Sequence, residues 1–314
     1  MFYWTAQRHG LQSTGLSFSS DPMATTLIAI LIVLLGTHAI PDLARARRFA
    51  WLKDAFGGGD GKPGDALSRT LLVGALILIL TALLQSVLHR HWFGLLELAF
   101  MVVTLFLSWG PRDLDSDLDA IAKAPDSEQR RAAAQALHDG ISAQAVSFTA
   151  AGLVESSFAA ALSRQFGVLF WFAVLGPVGA VGYRLVQLLA RSGAFAECVG
   201  ASQPRFERAA LVLDWAPAHL LAFSVALVSD FDATLRAWRD YHANQGRGYF
   251  TLDLGFLAVI ARAGVDADVI AEDGDDGRVG DPLAELADSR LLLRRVLFGW
   301  IALIAIVVLG GWVG

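Results

Sequence analysis

Long apolar stretches alternate with polar ones along this chain, and most of the charged residues fall between the apolar stretches. The apolar stretches lie at residues 25–40, 71–88, 93–109, 167–190, 209–228 and 296–313. Each is close to the roughly 20 residues that a helix needs to cross the hydrocarbon core of a bilayer. The pattern predicts an all-α polytopic membrane protein, a helical bundle of about six spans with cytoplasmic helical loops. It leaves open whether residues 167–228 make two full crossings or are partly re-entrant.

The composition supports a membrane location and argues against several other classes of protein. Of the 314 residues, 55% are hydrophobic and 18% are charged, whereas a soluble domain usually carries about 25% charged residues. The net charge of −5 and the lack of a basic stripe argue against a nucleic-acid partner. The single cysteine, Cys198, excludes an internal disulfide framework and a cysteine-based zinc site.

Residues 23–314 are expected to form one integral membrane domain, in which the polar regions at about 110–144 and 229–295 are cytoplasmic. Residues 1–22 lack the continuous apolar core of a secretory signal. Because Met23 directly precedes the first apolar stretch, residues 1–22 are expected to be a disordered tail or the product of a misassigned start.

The distribution of lysine and arginine predicts how the bundle is oriented. Eighteen of the 25 basic residues fall in the loop after the first apolar stretch and in the two large polar regions. Cytoplasmic loops are enriched in lysine and arginine, so these regions are predicted to lie inside the cell. The predicted location is the inner membrane of a bacterium, with the lipid bilayer as a partner. In this arrangement Arg8, Arg90, Arg191, Arg205 and Arg208 lie outside.

Three local patterns could suggest a metal or nucleotide site, and each has a simpler interpretation. The segment FGGGDGKPGD differs in spacing from a phosphate-binding loop and has Pro63 where serine or threonine is required. His89 and His91 are two residues apart and would point in different directions on a helix. The acidic residues at positions 113, 115, 117 and 119 favour a helix start, where carboxylates stabilise the positive end of the helix dipole. We therefore predict no metal ligands.

The stretch at 167–190 is interrupted by Gly176, Pro177 and Gly179. A helix that faces lipid gains nothing from glycine and loses a hydrogen bond at proline. Inside a bundle, small residues let helices approach closely, and an unwound turn can line a cavity. The interruptions therefore predict a segment that packs in the bundle or lines a cavity.

Polar or ionisable side chains lie within or beside these apolar stretches, namely Glu155, Tyr183, Arg184, Asp214 and His219. Ionisable groups at membrane depth are costly and normally face a partner or a water-filled pocket. We therefore predict that these side chains form a ligand-binding pocket. The alternative is that Asp214 pairs with an arginine for structural reasons and that Arg184 extends to the headgroups. No spacing indicates a nucleophile and its base, so no catalytic residue is predicted.

Two segments of the chain, VLFWFAVLGPVGAVGYRLVQLL and ALVLDWAPAHLLAFSVAL, resemble the AmpE proteins, which are membrane components associated with β-lactamase regulation. Those proteins belong to the CobD/CbiB superfamily, the adenosylcobinamide-phosphate synthases of cobalamin assembly. The similarity extends over residues 23–314. It is most specific in the Phe-Trp…Gly…Gly…Tyr stretch and in the segment that contains Asp214, Trp215 and Pro217.

The departures from the synthase pattern bear on function. The synthase branch typically carries Glu, Asn and Asp where this chain has Ala159, Ala160 and Ser163, although Glu155 is retained. It also typically carries arginine where this chain has His219. Alanine can neither hold magnesium nor transfer a proton. The resemblance therefore implies the synthase fold with its chemistry dismantled.

What the resemblance implies is an inner-membrane signalling modulator linked to β-lactamase induction and cell-wall recycling. Its pocket would be a degenerate synthase-like site without a cofactor, and its partner a cytoplasmic or membrane protein. The alternative is a divergent adenosylcobinamide-phosphate synthase, which would join an amino alcohol to a corrinoid carboxylate with magnesium and nucleotide. A third possibility is a scaffold whose cytoplasmic helices recruit a partner.

Overall fold

A computed structural model of the protein describes residues 22–39, 50–57, 65–90, 94–110, 112–138, 146–245, 248, 251–273 and 280–309. Over this part of the chain the regular structure is helical and contains no strand, so the predicted all-α class is confirmed. Residues 1–21, which belong to the predicted tail, lie outside the described residues. The helices are α1 (Pro22–Ala39), α2 (Ala50–Gly57), α3 (Asp65–Arg90), α4 (Gly94–Ser108), α5 (Leu114–Lys123), α6 (Ser127–Ala134), α7 (Ala150–Ala161), α8 (Gly167–Arg191), α9 (Ala196–Val199), α10 (Gln203–Val228), α11 (Phe231–Gln245), α12 (Gly255–Asp273) and α13 (Pro282–Leu309).

Three helical stretches in the described part of the chain are long and apolar enough to cross a membrane. They are Leu67–His89, Ala150–Arg191 and Gly200–Val228. Two shorter helical stretches, Ala24–Thr37 and Gly94–Ser108, are also apolar. The coarse prediction of an apolar helical protein therefore agrees with the structure.

The stretch Ala150–Arg191 is not one straight helix, because the chain reverses its direction at Gly176. This glycine has φ 65° and ψ −150°, a backbone conformation that residues with a Cβ atom rarely adopt. Pro177 follows and cannot donate a backbone hydrogen bond, so the helix cannot continue through this point. A π-helical turn at Leu162–Phe166 connects α7 to α8.

Contacts between the two sides of Gly176 show that they run antiparallel. A Cβ built on Gly179 would lie 2.2 Å from the carbonyl oxygen of Trp171, and one built on Gly167 would lie 2.1 Å from the hydroxyl of Tyr183. In a straight helix Gly167 and Tyr183 would be about 24 Å apart along the axis. Residues 162–191 therefore form a helical hairpin, with a first arm at 162–175 and a second arm at 177–191. The stretch 167–190 that the sequence presents as one crossing is a hairpin.

Helices α3 and α4 pack beside the hairpin. Gln85 of α3 lies at the turn of the hairpin, where its side-chain nitrogen is 3.0 Å from a Cβ built on Gly176. Leu78, two turns earlier in α3, is 3.5 Å from a Cβ built on Gly182. Helix α3 is therefore antiparallel to the second arm, and the hairpin reaches almost to the end of α3. Just after the C-terminal end of α4, the backbone N–H of Gly110 donates to the carbonyl of Arg164 in the first arm, at 3.1 Å.

Helix α13 runs alongside α7 and the first arm. The hydroxyls of Ser157 and Ser289 are 3.3 Å apart, and the rings of Phe166 and Trp300 pack edge to face with centroids 5.0 Å apart. The largest apolar core surrounds this contact and draws side chains from α1, α4, α5, α7, α8, α10, α12 and α13. A second, smaller core joins α2 and α9 to the end of the second arm and the start of α10.

Candidate functional site

The carboxylate of Asp214 is the centre of a buried polar cluster. Asp214 has no exposed surface, and three side chains of the second arm donate to it. The hydroxyl of Tyr183 donates at 2.6 Å, the side-chain amide of Gln187 at 2.8 Å and the guanidinium of Arg191 at 2.5 Å. A buried carboxylate is tolerated when it is paired and its lone pairs accept hydrogen bonds. We call Asp214 with these three donors the Asp214 cluster.

The geometry of a helix explains why these three donors converge. Tyr183, Gln187 and Arg191 follow one another at intervals of four residues, so they lie in a row along one face of the second arm. Asp214 faces that row from α10. Trp171 of the first arm adds a hydrogen bond from its indole N–H to the carbonyl of Leu213, at 3.1 Å. Both arms of the hairpin are therefore tied to the middle of α10.

Sequence analysis identified Tyr183 and Asp214 but missed Gln187 and Arg191. The signal was present, because the interval of four residues from Tyr183 marks both positions on its helical face. The alternative in which Asp214 pairs with an arginine agrees with the structure, and the arginine is Arg191.

Arg184 follows Tyr183 in sequence but points to a different part of the molecule. Its side chain is buried and donates to the carbonyl of Ser108 at 2.6 Å and to that of Ser163 at 3.3 Å. It does not extend to a surface, so the alternative interpretation in which Arg184 reaches the headgroups disagrees with the structure. Arg184 instead joins the second arm to the end of α4 and to the π turn in the first arm.

Arg164 is a second buried arginine, and sequence reasoning did not include it among the site residues. It has no exposed surface and donates to the carboxylate of Asp117 at 2.8 Å and to the carbonyl of Ala136 at 2.7 Å. Arg112 also pairs with Asp117, at 2.8 Å. These contacts join the first arm of the hairpin to α5 and to the turn that follows α6.

Glu155 lies on α7 and does not join the Asp214 cluster. It pairs with Arg262 of α12 at 3.2 Å, and both side chains are about two-fifths exposed. His219 also makes separate contacts. Its Nδ1 atom is 2.7 Å from the carbonyl of Trp215, and its ring packs 4.5 Å from that of Phe256. The five predicted pocket residues are therefore distributed over several places, and Asp214 with Tyr183 is the pair that the structure brings together.

The structural motif residues have identifiable roles. Gly176 and Pro177 form the reversal of the hairpin, and Gly179 allows the two arms to approach each other. The ring of Trp215 packs 4.3 Å from that of His219. Pro217 lies buried inside α10.

The acidic residues at the start of α5 have structural partners. Asp113 caps the helix, since its side chain accepts from the backbone N–H of Ser116, as expected for a helix start. Asp115 pairs with Arg290 at 2.6 Å and with Arg294 at 3.0 Å. Asp119 pairs with Arg290 and Lys123. The hydrogen bond from Lys123, and after it the one from Arg290, lowers the pKa of Asp119. We call the pairing of Asp115 and Asp119 with α13 the α5–α13 clasp.

In the described part of the chain, no three histidine, cysteine, aspartate or glutamate side chains come together as metal ligands. His89 is 3.1 Å from Glu97 on the neighbouring helix α4, and His91 lies outside the described residues. Ser163 donates its hydroxyl to the carbonyl of Ala160, at 3.2 Å. Ala159 is exposed.

Comparison with known proteins assigns no family to this chain. No family model, no curated protein and no solved structure matches it. Its function is therefore inferred from the contacts of its own residues and from the motifs in its sequence.

Proposed function

We propose that this protein is a multi-pass inner-membrane regulatory modulator of the AmpE type, linked to β-lactamase induction and cell-wall recycling. In this proposal it is not an enzyme. It relays a change in the membrane-embedded hairpin to its cytoplasmic helices, where a protein partner binds.

The observation that carries the proposal is the pair of buried charged contacts at the base of the hairpin. Asp214 ties the second arm to α10, which leads directly into α11. Arg164 ties the first arm to α5. Breaking a buried ion pair is costly, so a movement of either arm is expected to move the helix bonded to it. Such a connection between a membrane element and two polar regions suits a relay, provided that the hairpin has two arrangements.

A membrane location is supported by the large apolar side chains that the bundle leaves exposed. Water-exposed surfaces of this extent are unusual in soluble proteins, whereas lipid covers them in a membrane protein. We propose about six crossing segments, with both large polar regions in the cytoplasm. The exposed side chains on these helices are Ile28, Leu31, Ile32 and Leu35 on α1, Leu71, Leu72, Leu76, Ile79, Leu80, Leu83, Leu84 and Val87 on α3, Leu95, Leu96, Val103 and Leu107 on α4, and Leu291, Phe298, Leu303 and Ile306 on α13.

The alternative function is that of a divergent adenosylcobinamide-phosphate synthase. The residues that weigh against it are Ala159, Ala160 and Ser163, which stand where the synthase branch typically has Glu, Asn and Asp. Catalysis of amide formation with nucleotide and magnesium needs groups that hold the metal and move protons. Two alanines cannot supply them. Glu155, the acidic residue of that motif that is retained, is engaged with Arg262.

The test compares two acidic residues in a bacterial host with inducible β-lactamase that lacks its own AmpE-type protein. We expect Asp214→Ala to change the level of induction, because it releases the second arm from α10. Glu155→Ala is the matched control and is expected to have a smaller effect, since its pair is partly exposed. An immunoblot of the membrane fraction shows that each variant is present in equal amounts.

Two results would contradict the proposal. One is that the wild-type protein leaves induction unchanged in this host. The other is that it restores cobalamin-dependent growth to a strain without its own synthase, which would make it a divergent enzyme.

A further inference from the structure

Helix α10 has the length and composition of a membrane span. Its two ends, however, contact parts of the molecule that lie at a similar depth along the axis of the hairpin. At its start, the side-chain amide of Gln203 donates to the carbonyl of Ala190, next to the end of the second arm. At its end, Val225 and Ser229 pack against Gly264 of α12, and Leu292 of α13 packs against the same glycine.

The depth of these two ends can be compared along the axis of the hairpin, measured from the turn at Gly176. With a rise of about 1.5 Å per residue, Ala190 lies about 21 Å below the turn. Ser289 is level with Ser157, which lies about 28 Å below the turn, so Leu292 lies about 24 Å below it. Trp300 of α13, about 12 Å below the turn on the same scale, donates to Ser224 near the end of α10. The end of α10 therefore lies about 12–24 Å below the turn, and its two ends differ in depth by less than about 10 Å.

A helix of this length would separate its ends far more if it crossed the bilayer. The 26 residues of α10 extend over about 39 Å, which exceeds the roughly 30 Å of a hydrocarbon core. Its middle meets both arms through Leu213 and Asp214. Helix α10 thus lies crosswise beside the base of the hairpin rather than parallel to the arms.

We infer that α10 does not cross the membrane but lies in its cytoplasmic leaflet, with one apolar face against the acyl chains. The crossing segments are then α1, α3, α4, the two arms of the hairpin and α13. The inference depends on the proposed membrane location, but it does not depend on a regulatory role.

The side chains on the exposed face of α10 support the proposal that acyl chains cover this helix. Val212, Phe223 and Leu227 are each about half or more exposed and lie on one side of the helix. Asp214 and Leu221, on the opposite side, are fully buried. Trp300 of α13 donates its indole N–H to Ser224 of α10, and Phe298 and Leu303 of α13 are exposed. Acyl chains that cover α13 would therefore also reach α10. One side of α10 therefore packs against protein, and its other side presents apolar side chains that lipid can cover.

The distribution of basic residues supports the same topology. The hairpin returns the chain to the side of the membrane from which it entered. Arg191, Arg205 and Arg208, which the sequence analysis placed outside, are therefore assigned to the cytoplasmic side. Of the five basic residues that the sequence placed outside, Arg8 and Arg90 remain there. The bias of lysine and arginine toward the cytoplasm becomes stronger, as the positive-inside rule requires.

The first experiment places single cysteines at the two ends of α10, as Ala201→Cys and Asp230→Cys, in a Cys198→Ala background. Both positions are exposed. We expect a membrane-impermeant maleimide to label neither in intact cells and both after permeabilisation. His91→Cys, between α3 and α4, is the control for the outside and should be labelled in intact cells. Labelling of Ala201→Cys but not Asp230→Cys in intact cells would show that α10 crosses the bilayer and would overturn the inference.

The second experiment measures the depth of the apolar face in lipid vesicles. Bimane is attached at Val212→Cys and at Leu227→Cys, and quenching is compared for phosphatidylcholine with a nitroxide at carbon 5 or carbon 12 of the acyl chain. We expect both positions to be quenched more strongly by the shallower nitroxide. A crossing helix would place them at depths about 22 Å apart, so opposite preferences would overturn the inference.

Leu80→Cys on α3 is the control for the membrane location. If the probe on α3 is quenched and neither probe on α10 is, protein rather than lipid covers α10 and the inference fails. If the probe on α3 also escapes quenching, it is the proposed membrane location that fails.

Discussion

The Asp214 cluster and the α5–α13 clasp both join helices through aspartate and arginine, but they lie in different surroundings. Asp214 is completely buried and accepts from three side chains on one helical face. In the clasp, the side chains of Asp115, Asp119 and Arg290 remain between about a quarter and two-fifths exposed. Arg191 and Arg290 are equally exposed, at 27%. The two contacts therefore differ in the access of water to the aspartate.

Access to water decides how much each contact is worth. A buried carboxylate has lost its hydration, so removing its partners leaves an uncompensated charge. A partly exposed pair exchanges its contacts for water at little cost. The Asp214 cluster is therefore expected to hold the hairpin and α10 together, whereas loss of the clasp is expected to destabilise the fold only slightly.

The largest effect is expected from Asp214→Ala, which removes the acceptor of the buried side chains of Tyr183 and Gln187 and the ionic partner of Arg191. We expect the free energy of unfolding to fall by about 2–6 kcal/mol, because each buried donor that loses its acceptor costs about 1–3 kcal/mol. Thermal unfolding in detergent, followed by tryptophan fluorescence, measures the loss. Glu155→Ala is the control and should stay close to wild type. Equal melting temperatures for the Asp214 variant and the wild type would remove the basis of the comparison.

Gly179→Ala tests the close approach of the arms on which the Asp214 cluster depends. Its Cβ would lie 2.2 Å from a backbone oxygen of the first arm, so the arms must separate. Overpacking of this kind typically costs about 1–3 kcal/mol. Gly74→Ala on α3 is the matched control, because its Cβ would meet nothing within 4 Å. The same assay should show a lower melting temperature for the first variant and no loss for the second. A hairpin that tolerated both would not be closely packed.

A smaller effect is expected from Arg290→Ala, which removes the shared partner of Asp115 and Asp119 in the clasp. Because these side chains are partly exposed, the free energy of unfolding should fall by less than about 1 kcal/mol. The loss should shrink further in 0.5 M salt, which screens exposed charges. A loss as large as that of Asp214→Ala would show that exposure does not distinguish the two contacts.

The smallest effect is a dependence on pH through Asp119. The hydrogen bond from Lys123, followed by that from Arg290, lowers the pKa of Asp119 in the folded protein. A carboxyl group with a lowered pKa stabilises the folded state above its unfolded pKa, and this stabilisation is lost as the pH falls through the folded pKa. The difference in melting temperature between the wild type and Asp119→Asn should therefore be present at pH 7 and shrink below about pH 4. A difference that stays constant over this range would contradict the lowered pKa.

The helical class and the candidate site differ in how far sequence could predict them. The apolar stretches predicted an all-α protein because hydrophobic length is a local property. The interruption at Gly176 and Pro177 indicated a break in the helix for an equally local reason. The direction of the chain after the break was not predictable, since it depends on the contacts of Gly179 with Trp171 and of Gly167 with Tyr183.

The same limit applies to the charged residues. Sequence alone indicated that Asp214 needs a partner, because an unpaired carboxylate in an apolar segment is costly. It did not show which arginine supplies that partner, and it did not separate Glu155 and His219 from the cluster. Arg164 escaped notice because it lies at the edge of an apolar stretch, where an arginine usually reaches water.

The sequence by itself determined that the chain is helical, apolar in segments and broken at Gly176, because each of these properties follows from neighbouring residues. The tertiary structure decided that the break is a hairpin, that Arg191 is the partner of Asp214 and that both ends of α10 lie in one layer. These features arise from contacts between residues far apart in the chain. Close packing of side chains determines which of these contacts form. Hydrophobic periodicity predicts secondary structure but not the pairing of residues that are far apart in the chain.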